Sequence, residues 1–234
     1  QNSWGLPTGT IANDNGFKRG SHSLEYDAFE YFASTKNHPA VDGGVIIFAA
    51  GNEGYPSASY PGAYNEYISV TSVAADGLPA YYTNYGPGCK IAAPGGEIIG
   101  TSDFSGMILS TGVSNAATQS PAVDNNGKSD YNYVWMQGTS MACPHVSGIA
   151  ALGIAYAKKL GKKFTREDFN TMLVSSANDF DSRLNGTKEY YKMSGSPGSI
   201  SLGKFMKQMG TGSVDAWIFM MKIEGVPCLT AEIG

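Results

Sequence analysis

Apolar residues recur at helical spacing between Ser21 and about Lys36, at Leu24, Ala28, Tyr31 and Phe32, before the chain turns through Asn37-His38-Pro39. That spacing predicts a helix with one face on a core. Val45-Ile46-Ile47-Phe48-Ala49-Ala50 follows as a short, wholly apolar run between Gly43-Gly44 and Gly51-Asn52, the pattern of a strand buried on both faces. Tyr67 to Ala74 predicts a second strand. From Met141 to Leu160 small residues dominate (Gly148, Ala150, Ala151, Gly153, Ala155, Ala157), and Lys158-Lys159 with Gly161 close the run. This predicts a central, tightly packed helix. Thr165 opens another helix through Ala177, with Asp168 placed for a capping box and Phe169, Met172 and Leu173 on one face. A last helix is expected over Ser213 to Lys222. Between Thr101 and Tyr133 the chain is rich in Ser, Gly, Asn and Asp and carries neither period, so it reads as a long surface excursion. Helices alternating with buried strands predict an α/β protein with a mainly parallel sheet and ligands beyond the carboxyl ends of its strands. Gly51-Asn52-Glu53-Gly54 falls at such an end.

With 234 residues, 42% of them hydrophobic, the chain suits one large domain. Charged residues are 15%, the net charge is -4 and the two signs are interspersed, so no patch favours nucleic acid or an anionic membrane. No apolar run approaches the roughly 18 to 20 residues that a membrane span needs. Cys89, Cys143 and Cys228 are widely separated and odd in number, which excludes a disulfide framework and a cysteine-held zinc. Asp76, Asp103 and Asp124 lie in no recognisable calcium loop and read as solvated carboxylates. The opening Gln1-Asn2-Ser3-Trp4-Gly5 has no start methionine and is expected to lie inside a longer protein. Thirty glycines and eleven prolines suit a compact, loop-rich protein that is secreted, periplasmic or on the cell surface.

A serine hydroxyl becomes a useful nucleophile only when a base takes its proton and donors hold the oxyanion that forms. Ser140 meets the positional part of that need. It stands between a predicted strand ending near Met136 and a small-residue helix, so its N–H belongs to the helix's first turn with the positive end of the dipole behind it. Pro144 follows closely enough that its missing N–H costs little. Alone, a Gly-Thr-Ser at a helix start is an ordinary cap. The surrounding run Gly138-Thr139-Ser140-Met141-Ala142-Cys143-Pro144-His145-Val146-Ser147-Gly148 goes further, because it resembles the nucleophile segment of the subtilases, the subtilisin-like serine proteases, almost residue for residue. Other segments match in the family's order. Asn2-Ser3-Trp4-Gly5 is similar to its substrate-binding strand, Ala49 to Gly54 to its oxyanion segment, Ala93-Pro94-Gly95 to the loop ahead of the nucleophile, and Gly210 to Ala216 to the entry of its terminal helix.

The resemblance implies a three-layer subtilisin-like α/β fold over residues 1–222, incomplete on its N-terminal side, with 223–234 as a tail or the start of a further segment. It implies a serine endopeptidase with Ser140 as nucleophile and with the Asn52 side-chain amide and the Ser140 N–H as oxyanion hole. Ser3, Trp4 and Gly5 would pair with an extended peptide substrate. Ala49, Ala50 and Gly51 would wall the pocket for the side chain before the scissile bond, Ser59 would set its depth, and the Tyr60-Pro61 bond would be cis. Many members bind structural calcium, so the resemblance admits it, and it implies no other cofactor. The family's catalytic aspartate and histidine segments match nothing in this chain. His145 lies one turn from Ser140 on the same helix and corresponds to a structural histidine, while His22 and His38 lack the required context. The triad's Asp and His are therefore expected from an upstream segment. The alternative is an inactive pseudoprotease or peptide-binding module that keeps the cleft. An α/β-hydrolase elbow needs Gly-x-Ser-x-Gly, and the residue two after Ser140 is Ala142.

Overall fold

The computed structural model describes residues 23–112, 120–123 and 129–227. Helix α1 covers Ser23–Ala33. A short strand β1 (Val41–Asp42) precedes three strands that begin the main sheet: β2 (Ile47–Ala49), β3 (Ile68–Val73) and β4 (Ile91–Pro94). Next come β5 (Ile108–Thr111), β6 (Ser120–Val123) and β7 (Ser129–Met136), and then the long helix α2 (Thr139–Lys159). Strand β8 (Phe164–Thr165), helix α3 (Arg166–Val174), β9 (Ala177–Asn178), the hairpin β10 (Thr187–Tyr191) and β11 (Pro197–Ser201), β12 (Ser213–Val214) and α4 (Ala216–Glu224) complete the order.

Five strands form the main sheet in the order β2-β3-β4-β12-β9. Neighbours are parallel through β12, and only β9 runs against its partner. One face carries Ile47, Ala49, Ile68, Val70, Ile91 and Ala93 onto a core shared with α2, α3 and α4. The opposite face sends Phe48 into an aromatic cluster with Phe29 of α1 and with Tyr64 and Tyr67, whose rings meet edge-on. Further along that face, Val73 and Ala92 pack on Phe180, Leu184, Leu202, Phe205 and Met209. The result is three layers, the α/β architecture expected from the sequence.

Several local expectations change. Helix α1 is shorter than 21–36, and β2 is a three-residue strand on the edge of the sheet, among the described residues. An edge strand is covered less completely than a central one, so Ile47 and Ala49 are only half-buried whereas β3 is buried throughout. The excursion from Thr101 to Tyr133 holds an antiparallel ribbon, β5-β7-β6, pairing Ile108 with Met136 and Thr111 with Tyr133. Its period was hidden because β5 is largely exposed and so carries no apolar alternation. Helix α3 ends at Val174 rather than Ala177, whose residue enters β9, and the Thr165 hydroxyl accepts from the Asp168 N–H as the capping pattern requires. Ser213 and Val214 are strand and not helix, because Asp215 caps α4 by accepting from the Ile218 N–H. That helix runs on to Glu224 and buries Ile223 fully.

Asp76 is not simply solvated. Its carboxylate and that of Glu97 each lie 3.1 Å from the buried Lys188 ammonium, which also donates to the Pro79 carbonyl. Burial pushes the Glu97 pKa up, and the Lys188 charge opposes that shift. Two loops are thereby tied to the β10–β11 hairpin, whose Tyr190 stacks flat on Tyr81. Asp103 caps a 3-10 turn, Phe104–Gly106, by accepting from the Ser105 N–H, while Asp124 lies outside the described residues.

Helix α2 buries Ala142, Cys143, Val146, Ala150, Gly153 and Ala157, yet Gly148, Ala151, Leu152 and Ala155 on its other side are exposed. The expectation of a helix packed all round therefore holds for one face only, among the described residues. By length and composition alone α2 also passes for a membrane span, which the sequence reading did not expect, but core helices pass the same test. Two glycines in this helix separate packing from propensity. A Cβ at Gly153 would lie 2.8 Å from Ile223 Cδ1 and nearer still to the Phe219 ring, whereas one at Gly148 would meet nothing within 4 Å. Alanine gains at most about 1 kcal/mol over glycine in a helix, and core overpacking costs about 1–3 kcal/mol. Gly153→Ala is expected to lower the melting temperature of this chain and Gly148→Ala to raise it; the reverse order would refute the packing.

Candidate active site

Strand β2 ends in the loop Ala50 to Gly54, and α2 begins beside it. The Thr139 N–H donates to Asn52 Oδ1 at 2.8 Å and the Thr139 hydroxyl donates to the same oxygen at 3.0 Å. In turn the Gly51 N–H donates to Thr139 Oγ1 at 3.2 Å. With Oδ1 so engaged, the amide nitrogen of Asn52 is turned outward on an exposed residue. Thr139 uses one of the unpaired N–H groups of the first helical turn, and the next belongs to Ser140.

Gly138 makes this junction possible. Its φ of 148° and ψ of 160° are open to glycine alone, and they swing the chain from β7 into the helix. The missing side chain also leaves space. A Cβ built there would lie 3.6 Å from both Asn52 Oδ1 and the Ser140 nitrogen and 3.7 Å from Asn52 Nδ2, all ordinary contact distances. The Asn52 amide and the Ser140 nitrogen thus border one small open space beside the half-buried Ser140. Pro144 lies one turn into the helix, and its missing N–H removes the i+4 donor to the Ser140 carbonyl.

Ala49, Ala50 and Gly51, expected to wall a substrate pocket, lie next to Ser59, whose N–H donates to the Ala50 carbonyl at 2.8 Å. Gly51 has φ +112°, and a Cβ there would lie 2.6 Å from Ser59 Oγ and 2.7 Å from Glu53 Oε2. Only glycine fits. The Tyr60–Pro61 bond is cis. Ser3, Trp4 and Gly5 lie outside the described residues. On the far side of Ser140, a cavity of about 490 Å³ opens between the helix start (Ser140, Met141, Pro144, His145) and the ribbon at Leu109 and Met136.

Other candidate groups are locally engaged. His145 Nδ1 lies 2.8 Å from the Met141 carbonyl on its own helix, and His38 Nδ1 accepts from the Ala40 N–H. His22 is outside the described residues. Burial raises the Cys143 thiol pKa and its sulfur contacts the Ile47 carbonyl, so the thiol is a small apolar core group. Cys89 is likewise pushed up to about 12 by burial. Among the described residues no three His, Cys, Asp or Glu side chains gather to hold a metal. One residue that sequence reasoning passed over is Asn84, fully buried against the Ala50 to Tyr55 loop. No motif marked it.

Thr139 is fully buried, so removing its hydroxyl strands the Gly51 N–H and one lone pair of Asn52. An unsatisfied buried group costs about 1–3 kcal/mol. Thr139→Val keeps the shape and is expected to lower urea-unfolding stability by about that amount; a loss below about 0.5 kcal/mol would contradict the anchoring.

Comparisons with known proteins show the family. The family described as Subtilase family matches residues 1–196. The extracellular basic protease of Dichelobacter nodosus is 35% identical over 143 residues, which are 61% of this chain and 21% of that protein. The cell wall-associated protease of Bacillus subtilis is 32% identical over 155 residues, 65% of this chain and 14% of that protein. The chain thus spans 21% and 14% of the length of these two relatives. Among solved structures, a Pseudoalteromonas arctica protease is 29% identical with a TM-score of 0.53, covering 77% of this chain and 43% of that one. A lanthipeptide protease shares the fold with a TM-score of 0.61 at 20% identity, over 92% of this chain and 58% of that one. The chain belongs to the subtilase family of serine proteases.

Proposed function

We propose that residues 1–222, together with the last turn of α4 to Glu224, form the C-terminal part of a subtilisin-like endopeptidase domain, followed by a tail or the start of a further segment. The observation that carries this reading is that the Asn52 side chain, held through Oδ1 by Thr139, and the Ser140 nitrogen border one small space beside Gly138. Ser140 Oγ attacks the peptide carbonyl and gives its proton to a histidine, which is held by an aspartate; both come from a segment upstream of this chain. The carbonyl oxygen takes up negative charge between the two donors. Collapse expels the amine, which receives the proton, and leaves an acyl-enzyme on Ser140. Water, deprotonated by the same histidine, then releases the acid and restores the serine.

Ser3, Trp4 and Gly5 hold the substrate extended by strand addition. Ala49, Ala50 and Gly51 wall the pocket for the side chain before the scissile bond, and Ser59 sets its depth. Peptides or proteins are the substrates. Relatives named as extracellular proteases support a secreted or cell-surface setting.

A fluorophosphonate probe tests the reading on the full-length protein. Ser140 is expected to be labelled, Ser140→Ala to abolish labelling, and Asn52→Leu to lower kcat about 10²–10³-fold, the loss known for an oxyanion donor of subtilisin, itself a family member. A folded full-length protein that resists the probe would point instead to a peptide-binding module that keeps the cleft. The chain over 1–234 alone is expected to turn over no chromogenic peptide until the upstream segment is added; full activity by itself would refute the division of the triad.

A further inference from the structure

Asn84 lies on the segment after β3 and is fully buried. Its Oδ1 accepts from the Glu53 N–H at 3.1 Å and the Tyr55 N–H at 3.0 Å. Its Nδ2 faces the Ala50 carbonyl at 3.1 Å, Glu53 Oε2 at 3.0 Å and Ser59 Oγ at 3.3 Å. Its backbone N–H donates to the Gly51 carbonyl at 3.0 Å. Each hydrogen-bonding capacity of the side chain is spent on one loop.

The placement of these bonds matters more than their number. The Gly51 carbonyl belongs to the peptide unit before the Asn52 Cα, and the Glu53 N–H belongs to the unit after it. Both are tied to Asn84, so the two dihedrals that aim the Asn52 side chain are fixed from one residue. Thr139 then fixes the far end of that side chain through Oδ1. Asn84 is itself fastened to the sheet, since its carbonyl accepts from the Thr83 hydroxyl, which accepts from the Ser72 N–H of β3. Gly54 to Tyr82 and Tyr85 to Tyr55 backbone bonds close the same seam.

We propose that Asn84 is the positioning residue of the oxyanion hole, holding the backbone of Asn52 so that Nδ2 points at the site beside Gly138. This rests on the proposed function above. A turn-stabilising asparagine would affect folding alone, whereas a positioning residue acts through Asn52 and loses its effect when Asn52 is gone.

A double-mutant cycle on the active full-length enzyme separates the two. Asn84→Ala is expected to lower kcat roughly 10- to 100-fold with KM little changed, the range for a reacting group misplaced by about 1 Å. In the Asn52→Leu background the same change is expected to cost less than about twofold, because coupled sites are not additive. Equal losses in both backgrounds, or a loss confined to KM, would overturn the proposal. If Asn84→Ala does not fold, Asn84→Ser runs the same cycle. If Asn52→Leu itself leaves kcat unchanged, the proposed function has failed and not this inference. A readout free of turnover covers that case: in ¹⁵N-labelled protein the Asn52 side-chain amide signals are expected to shift or broaden in the Asn84 variant and to stay put in Asn185→Ala, on the surface. Unmoved Asn52 signals in the Asn84 variant would overturn it.

Discussion

The pairing of Asn52 Oδ1 with the Thr139 N–H and hydroxyl is the contact on which the site depends. It joins the end of a sheet strand to the start of the longest helix, across 87 residues of chain. Both partners are constrained further by glycines that tolerate no side chain, Gly51 through crowding and Gly138 through its dihedrals. The consequence is electrostatic. A polar amide and a helix N-terminus are held side by side in a fixed orientation, the preorganisation that the proposed oxyanion hole requires.

The fold supplies the rigidity behind that contact. Helix α2 lies on β2, β3 and β4 through side chains no larger than valine at Ala142, Cys143, Val146 and Ala150, which lets the helix approach the sheet closely. Strand β3 is buried over its whole length, and the Ala50 N–H extends the β2–β3 pairing by one bond into the loop. Position therefore passes from the sheet to the loop and from the loop to the helix start. The ion cluster of Lys188, Asp76 and Glu97 does similar work for the loops after β3 and β4, at a desolvation cost that its partners offset only in part, since the Glu97 pKa stays raised.

Much of this was legible in the sequence, for particular reasons. The run from Gly138 to Gly148 is local, so its residue pattern carries both the strand-to-helix turn and the chemistry. The Asn52 loop was found through its similarity to a known segment, and Ala49, Ala50, Gly51 and Ser59 came with it. Asn84 was not legible, because its importance lies in five bonds to four residues set 25 to 34 positions away and an isolated asparagine reads as a turn residue. The β5-β7-β6 ribbon escaped because an exposed strand lacks apolar alternation. The start of α4 was misplaced by three residues because Ser213 and Val214 pair with β4 and β9, a tertiary contact no local propensity announces.

The central claim is that the two donors are already in place around one oxygen-sized site. A crystal structure of the full-length protein with a peptide boronate bound to Ser140 tests it most directly. One boronate oxygen within about 3 Å of both Asn52 Nδ2 and the Ser140 nitrogen, with Asn52 still bonded to Thr139, is the predicted result. A boronate oxygen pointing elsewhere, or an Asn52 side chain released from Thr139, would contradict it.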